Sequence, residues 1–370
     1  MLEATGWPDY DSRIMGPPRP LAGSVGVTIT LRPLRIPDEA KRRLRIMFIA
    51  KHARWGGGLH PEDGNHALYH VEVREILKAL GLKLVLEDRY EALFDKPDVD
   101  FVFPLLNRGG FLNSEMLLPL LCTRHAIPFL GASPIVRGLG DDKHLTKLCA
   151  AARGVPTAPW AIYRRRAPID PAACPTGDRL VIKPNASSAS WGVQDASDWA
   201  GVEAALADIQ SQGHDAIVEP FLDGSDVEVP VITVDGAPVL LPMVMFEQAD
   251  PSHLRTYYEK RDLVDRAQKY QLVPFGADDP LHPAIDRFTR ALVKEFQPFD
   301  YGRFEFRVNR ETGDIQFLEV NLNANLWSEK VYGRSARLAG WSQSELIETI
   351  LCESLARQGL LEAQGATATL

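Results

Sequence analysis

RFEFRVNRETGDIQFLEVNLNAN, residues 303–325, sets two acids, Glu305 and Glu319, inside apolar strand-like runs on either side of a turn. YGRFEFRV and DIQFLEVN carry the aromatic and β-branched residues of strands, and NRETGD between them has turn chemistry. A hairpin centred near Thr312 brings Glu305 opposite Glu319 and Arg303 opposite Asn321. Residues two apart on a strand share a face, so these four side chains project together. Like charges directly opposite each other are destabilising, and a cation between them removes that cost. Two carboxylates and an amide oxygen form a hard-oxygen set suited to Mg²⁺. Taken alone, the pattern reads equally well as a solvent-facing strand side with incidental acids.

The rest of the chain has to decide. Its 370 residues suggest roughly two or three domains, and a composition of 45% hydrophobic and 24% charged residues supplies real cores. A net charge of −8 argues against a nucleic-acid partner. Cys122, Cys149, Cys174 and Cys352 are scattered without metal or redox spacing, which fits reduced thiols and a cytoplasmic location. No uninterrupted apolar run is long enough to span a bilayer, so no membrane partner is expected. VPVITVDGAPVLLPMVMF is broken by Asp-Gly and Pro and reads as a hairpin, and Glu3, Asp9 and Asp11 argue against a signal peptide.

Residues 1–43, with MGPPRP, read as an N-terminal extension, partly unstructured or wrapped on the surface. From residue 44, strands (LRIMFIA, LKLVLE, DVDFVFPLL, IPFLG) alternate with helices (HALYHVEVREILKALG, LNSEMLLPLLCTRHA). That order predicts a parallel, Rossmann-like domain over 44–136. In 137–222, Asp141 is positioned to cap a helix that Gly154 and Pro156 end. RLVIKP is a strand and DWAGVEAALADIQSQG a helix. AIVEPFL and DVEVPVITVDGAPVLLPMVMF read as consecutive antiparallel strands, and a polar, basic stretch at 247–271 interrupts them. Helices at 282–296 and near 343–358 flank the hairpin in the last region, 223–370. The class is α/β followed by α+β, three subdomains around a cleft.

A Walker-type GxxxxGK[ST] loop is absent. VIKPNASSASWG instead sets Lys183 at a strand end before a loop of hydroxyls and small residues that can close on an anion. Lys143 at a helix start would ordinarily be a solvated lysine. In IVEPFLDGSD, Pro220 keeps a carbonyl and Leu222 an N–H two residues later, the pair that adenine recognition commonly uses. Phe221 adds apolar bulk and Asp226 can accept from a ribose hydroxyl. A strand ending in a Gly turn explains the same letters.

Together these pieces resemble the D-alanine–D-alanine ligase family of the ATP-grasp superfamily. The resemblance runs from about residue 45 to 358 through five segments in order: DDKHLTKLCAARGVPTAPW, LVIKPNASSASWGV, IVEPFLDGSDVEV, GRFEFRVNRETGDIQFLEVN and SARLAGWSQSELIETIL. It implies an ATP-grasp fold and roles for single residues. Lys143 and Lys183 resemble the lysines that hold the ATP phosphates, with Ser190 in the loop covering them. Glu219, Pro220, Phe221 and Leu222 are similar to the adenine hinge. Asp226 stands for the ribose carboxylate, where the family usually has Glu, and Lys260 for the lid lysine. Glu305, Glu319 and Asn321 resemble the Mg²⁺ ligands, Mn²⁺ being an alternative ion, and Arg303 the arginine beside the reacting centre. The implied chemistry is phosphorylation of a carboxylate by ATP, then attack of an amine on the acyl phosphate. The lid, within 247–274, would keep water out. The implied partners are small-molecule carboxylate and amine substrates, with a homodimer as an open option.

The substrate side departs from the family. Ala189 stands where the family has a Ser and Arg261 where it has a Tyr in the lid. Leu106, in LLNRGGFLNSE, replaces a His, and Lys330 replaces a Ser near the second substrate's carboxylate. Arg261 is expected to repel an ammonium group in the first pocket, the alternative being that it points to solvent. His52, His60, His66 and His70 invite a zinc reading, but no acid ligand accompanies them, so substrate contact or plain surface is favoured. Three functions follow: a carboxylate–amine ligase with substrates other than two D-alanines, a true D-alanine–D-alanine ligase, or a non-catalytic ATP-binding protein.

Overall fold

Three sheets carry the chain. The computed structural model of the protein describes residues 32–105, 114–267 and 269–361, so Leu106 and residues 1–31 lie outside the described residues. The described elements belong to the unit Pro33–Leu370. Helix α1 (Asp38–Arg43) leads into β1 (Arg45–Ala50), α2 (His66–Ala79), β2 (Lys83–Glu87) and β3 (Phe101–Leu105). These strands pair in parallel in the order β2-β1-β3. IPFLG contributes one bridge, Phe129 to Val102, rather than a strand. Residues 34–36 are tied down: Leu34 N–H donates to Thr349 Oγ1, Arg35 pairs with Glu345 and Glu348, and Ile36 is buried.

Helices α3 (Ser114–His125), α4 (Pro134–Asp141) and α5 (Lys143–Ala152) follow. The cap of α5 is Asp142, whose side chain accepts from Leu145 N–H; Asp141, the expected cap, is buried as the last residue of α4. Ala150 and Val155 pack into the core of the third sheet. The second sheet has the order β4-β7-β5-β6, built from β4 (Ala161–Tyr163), β5 (Leu180–Pro184), β6 (Gln194–Ala196) and β7 (Ala216–Pro220), with α6 (Trp199–Ser211) on one face.

After β7 the chain leaves that sheet for the third one. β7 and β8 (Ser225–Val234) are therefore not neighbours in one sheet, contrary to the expectation of consecutive antiparallel pairing. Gly224 permits the crossing: its φ is +115°, and a Cβ there would sit 2.2 Å from Val308 O. β9 (Ala237–Leu240), β10 (Val244–Gln248), α7 (Tyr257–Lys260), β11 (Tyr270–Pro274), α8 (His282–Val293), β12 (Tyr301–Asn309), β13 (Asp314–Asn321), α9 (Val331–Leu338) and α10 (Gln343–Arg357) complete the described chain. The third sheet runs β11-β10-β8-β12-β13, with β9 on β8. Its two faces separate by period-two alternation. Phe304, Phe306 and Val308 enter a core with Val227, Val229, Phe317 and Phe296, while Arg303, Glu305 and Arg307 face the other way. Among the described residues, no helix is long and apolar enough to cross a membrane.

Candidate active site

The β12–β13 register brings the opening residues together. Arg303 pairs with Asn321 and Glu305 with Glu319, as a hairpin centred on Thr312 requires. The turn itself closes tighter, with Asn309 opposite Asp314, and the ladder shifts between Glu305 and Phe306. One extra residue on β13, Leu318, takes up the difference, so two adjacent residues, Leu318 and Glu319, are half-buried where strict alternation would bury one. Such a bulge re-aims side chains, and here it aims Glu319 at Glu305.

On the other side β8 sets Glu228 opposite Glu305, so three carboxylates form a row across three adjacent strands. Arg303 answers two of them, Nε lying 2.7 Å from Glu228 Oε2 and Nη2 2.6 Å from Glu305 Oε1. Lys143 Nζ answers the third, 3.0 Å from Glu319 Oε2. Burial pushes Glu228 up to about 8 despite Arg303, with Glu305 and Asp226 adding to the rise. Burial also holds Glu305 above the usual carboxylate range, opposed by Arg303 and reinforced by Glu319. Burial acts on Glu319 in the same direction, but Lys143, Lys183 and Lys260 outweigh it and keep this carboxyl low. A divalent cation would relieve the Glu305–Glu319 pair, and with Asn321 the donors are hard oxygens, so the residues fit Mg²⁺ or Mn²⁺. Among the described residues no group of three or more His, Cys, Asp or Glu is assembled for a metal, so the fit needs further oxygens from a ligand.

Facing this hairpin is a second set on β5, β7 and α5. Lys183 Nζ pairs with Glu219 Oε1, and Lys147 Nζ lies 2.9 Å from Glu219 Oε2. Burial would raise the Glu219 carboxyl, yet the two lysines pull it down to about 2. Lys143, read from the sequence as ordinarily solvated, is buried and also donates to Ser187 O at 2.7 Å. Ala189 and Ser190 both have positive φ, 55° and 60°, a conformation non-glycine residues rarely adopt and one associated with ligand loops. Lys260 Nζ donates to Ser190 Oγ at 2.6 Å, joining this loop to the end of α7. Asp226 holds Arg307 and Arg255 at 2.9 and 3.2 Å. At the crossing, Phe221 lies under the Arg179 guanidinium, 4.3 Å from the ring centroid, and its N–H donates to Arg179 O. Leu222 O accepts from Arg307, and among the described residues its N–H has no hydrogen-bond partner.

One cavity of about 310 Å³ is lined by all of these expected residues, Pro220, Ala189, Arg261 and Lys330 included. Arg261 is nonetheless neither an unpaired cation nor a solvent-facing one. It is 2% exposed, and Nη1 lies 2.8 Å from Asp63 Oδ1. Its backbone carbonyl accepts from Asn65 N–H, and at Gly64 a Cβ would sit 1.9 Å from that oxygen. Arg261 thus latches the segment after α7 to the loop before α2. Breaking a buried pair leaves an uncompensated charge, so Asp63→Asn is expected to cost on the order of 3 kcal/mol in chemical denaturation. The double variant Asp63→Asn/Arg261→Met should recover part of that loss; a single variant as stable as the parent would contradict the latch.

The histidines divide. His52 and His60 stack with centroids 4.5 Å apart, away from the cavity. His66 and His70 line it, and His66 Nε2 lies 3.1 Å from Asn325 Nδ2, so the surface reading fails for these two. Burial and the Arg261 charge lower both, His70 to about 3, leaving them neutral near pH 7. Sequence reasoning missed Glu228 and Lys147. The Asp226–Glu228 alternation within DVEV and the four-residue step from Lys143 to Lys147 were the available signals.

The family model for the D-ala D-ala ligase C-terminus matches residues 151–352. An uncharacterized protein of Sinorhizobium fredii is 30% identical over 63% of this chain and 68% of its own length. D-alanine–D-alanine ligases of a Polaromonas and a Marinomonas species are 25% and 24% identical, over 61% and 75% of this chain and 66% and 87% of their own. In fold, the chain is similar to the Bacillus anthracis D-alanine–D-alanine ligase solved with ATP, with a TM-score of 0.66 at 19% identity, covering 86% of this chain and 99% of that one. The Enterococcus faecalis VanG D-Ala:D-Ser ligase gives 0.63 at 14% identity, covering 84% and 100%. With the matched model spanning more than half of it, the chain belongs to the D-alanine–D-alanine ligase family, ATP-dependent C–N ligases of the ATP-grasp fold.

Proposed function

We propose that this protein joins a carboxylate to an amine through an acyl phosphate, forming an amide or peptide bond from substrates other than two D-alanines. The observation that carries the reading is the cavity itself, with Arg303, Glu305, Glu319 and Asn321 on one wall and Lys143, Lys183 and the positive-φ Ser190 loop on the other. Lys143, Lys183 and Lys260 bind the ATP phosphates. Ser190 and its loop cover them, and the unpartnered Leu222 N–H, with the Pro220 carbonyl, reads the adenine beside Glu219 and Phe221. Asp226 accepts from the ribose. Glu305, Glu319 and Asn321 would hold Mg²⁺ or Mn²⁺, which supplies charge neutralisation at the phosphates when bound. The donor carboxylate takes the γ-phosphoryl group, releasing ADP; the amine then attacks the acyl carbon and phosphate departs. Arg303, oriented by Glu228 and Glu305, stabilises the oxyanion formed in that attack, and Glu228 acts as its positioning residue.

The exclusion of D-alanine as donor rests on charge. Each carboxylate lining the cavity among the described residues (Glu219, Asp226, Glu228, Glu305 and Glu319) is already held by a lysine or arginine. None is left to receive an α-ammonium group. The test is a screen of carboxylates and amines with ATP and Mg²⁺, scored by ADP release and product mass. Rapid formation of D-alanyl-D-alanine would restore the plain family reaction. ADP release that no carboxylate stimulates would favour a nucleotide-binding protein without ligase activity.

The lid lysine gives a pH dependence. Burial, with Arg255 beside it, lowers Lys260 to about 8 against the opposing pull of Asp226, Glu305 and Glu319. The cation is present below that value and lost above it. ATP affinity should therefore fall as pH rises through about 8, by up to about tenfold per unit. In Lys260→Arg, which stays cationic, calorimetric titration should show a flat profile; a parent profile already flat to pH 9.5 would contradict the role.

A further inference from the structure

Beyond Lys330 the cavity wall continues into a second cavity of about 440 Å³ that shares Lys330 and Tyr270 with the first. Lys330, Arg334 and Arg337 all line it. They stand at i, i+4 and i+7, one face of α9 counted from its cap residue. Arg266 on the opposite wall is neutralised by Asp262, with Nη2 at 2.5 Å. Glu329 also lines the cavity, but among the described residues neither it nor any other carboxylate lies within ion-pair distance of the three α9 cations. Lys330 Nζ donates to Tyr270 Oη, at 2.8 Å, and lies 5.7 Å from the Trp327 ring centroid. The Nε of Arg334 is buried without a hydrogen-bond partner. Cationic groups that line a cavity without a carboxylate partner attract an anion that enters it.

We propose that this basic cavity receives a second anionic group of the amine substrate, so that the acceptor is an acidic amine. It would be an amino acid or short peptide bearing a carboxylate or phosphate beyond the group next to its nitrogen. The placement rests on the ligase reading, since Lys330 is what joins this cavity to the reacting centre. An acceptor spanning both would keep its amine on the Arg303 side and its extra charge among Lys330, Arg334 and Arg337. Carboxylate and phosphate share the recognition chemistry; the flat, forked guanidinium groups suit either in a bidentate pair.

The test is calorimetric titration of the full chain, with and without a non-hydrolysable ATP analogue. The probes are aspartate, glutamate, O-phosphoserine and alanine in both enantiomers. The acidic probes are expected to bind roughly tenfold or more tightly than alanine, and the glutamate-to-phosphoserine ratio identifies which anion is preferred. Arg334→Gln/Arg337→Gln, which keeps Lys330, should cut that preference at least about threefold while leaving nucleotide affinity, alanine affinity and thermal midpoint unchanged. Equal binding of acidic and neutral probes, no binding by any probe, or a preference undiminished in the double variant would each overturn the subsite. Tight acidic binding without ADP release in any donor screen would leave the subsite standing and overturn the ligase reading instead.

Discussion

Glu319→Ala is expected to lose at least about a thousandfold in ATP turnover with its thermal midpoint within a few degrees of the parent's. The side chain lies on the cavity face of β13, opposite the buried core residues Phe317 and Val320, so removing it opens no core void. What disappears is one of the carboxylates of the Glu305–Glu319 pair and the partner of Lys143. Glu319→Gln keeps the shape and deletes only the charge, and should fall nearly as far. Near-parental turnover of either variant in Mg²⁺ would remove the metal assignment.

Lys183→Ala should weaken ATP by roughly a hundredfold or more while changing adenosine affinity by less than about threefold. The expectation follows from place: Lys183 is the penultimate residue of the buried strand β5, before the Ser190 loop, and lines the cavity. Glu219 complicates the variant, because it would keep only Lys147, and a weakened buried pair can cost on the order of 3 kcal/mol. The adenosine arm separates the two effects. Equal loss of both ligands would indicate a damaged fold or a misassigned site.

The period-two strands and the amphipathic helices were legible because each pairs a polar cavity or solvent face with an apolar one. The Glu305–Glu319 pairing was legible too, although the bulge at Leu318 that produces it was not, since an extra residue in a ladder leaves no compositional mark. Helix α4 was overlooked although Ser133 caps it and Pro134 opens it; its short span and two glycines gave little periodicity to read. The Arg261–Asp63 latch joins residues 198 positions apart, and a single sequence holds no signal for such a contact. The same latch corrects the charge argument. The proposed donor selectivity rests on cavity acids that are already paired, not on a free Arg261.

In the proposed reaction a carboxylate is activated by phosphorylation. The test uses the donor identified by the screen, labelled with ¹⁸O in its carboxyl group. Turned over with ATP and an amine, it should deliver one labelled oxygen to the released phosphate for each amide formed. Unlabelled phosphate accompanying amide formation would contradict the acyl-phosphate route.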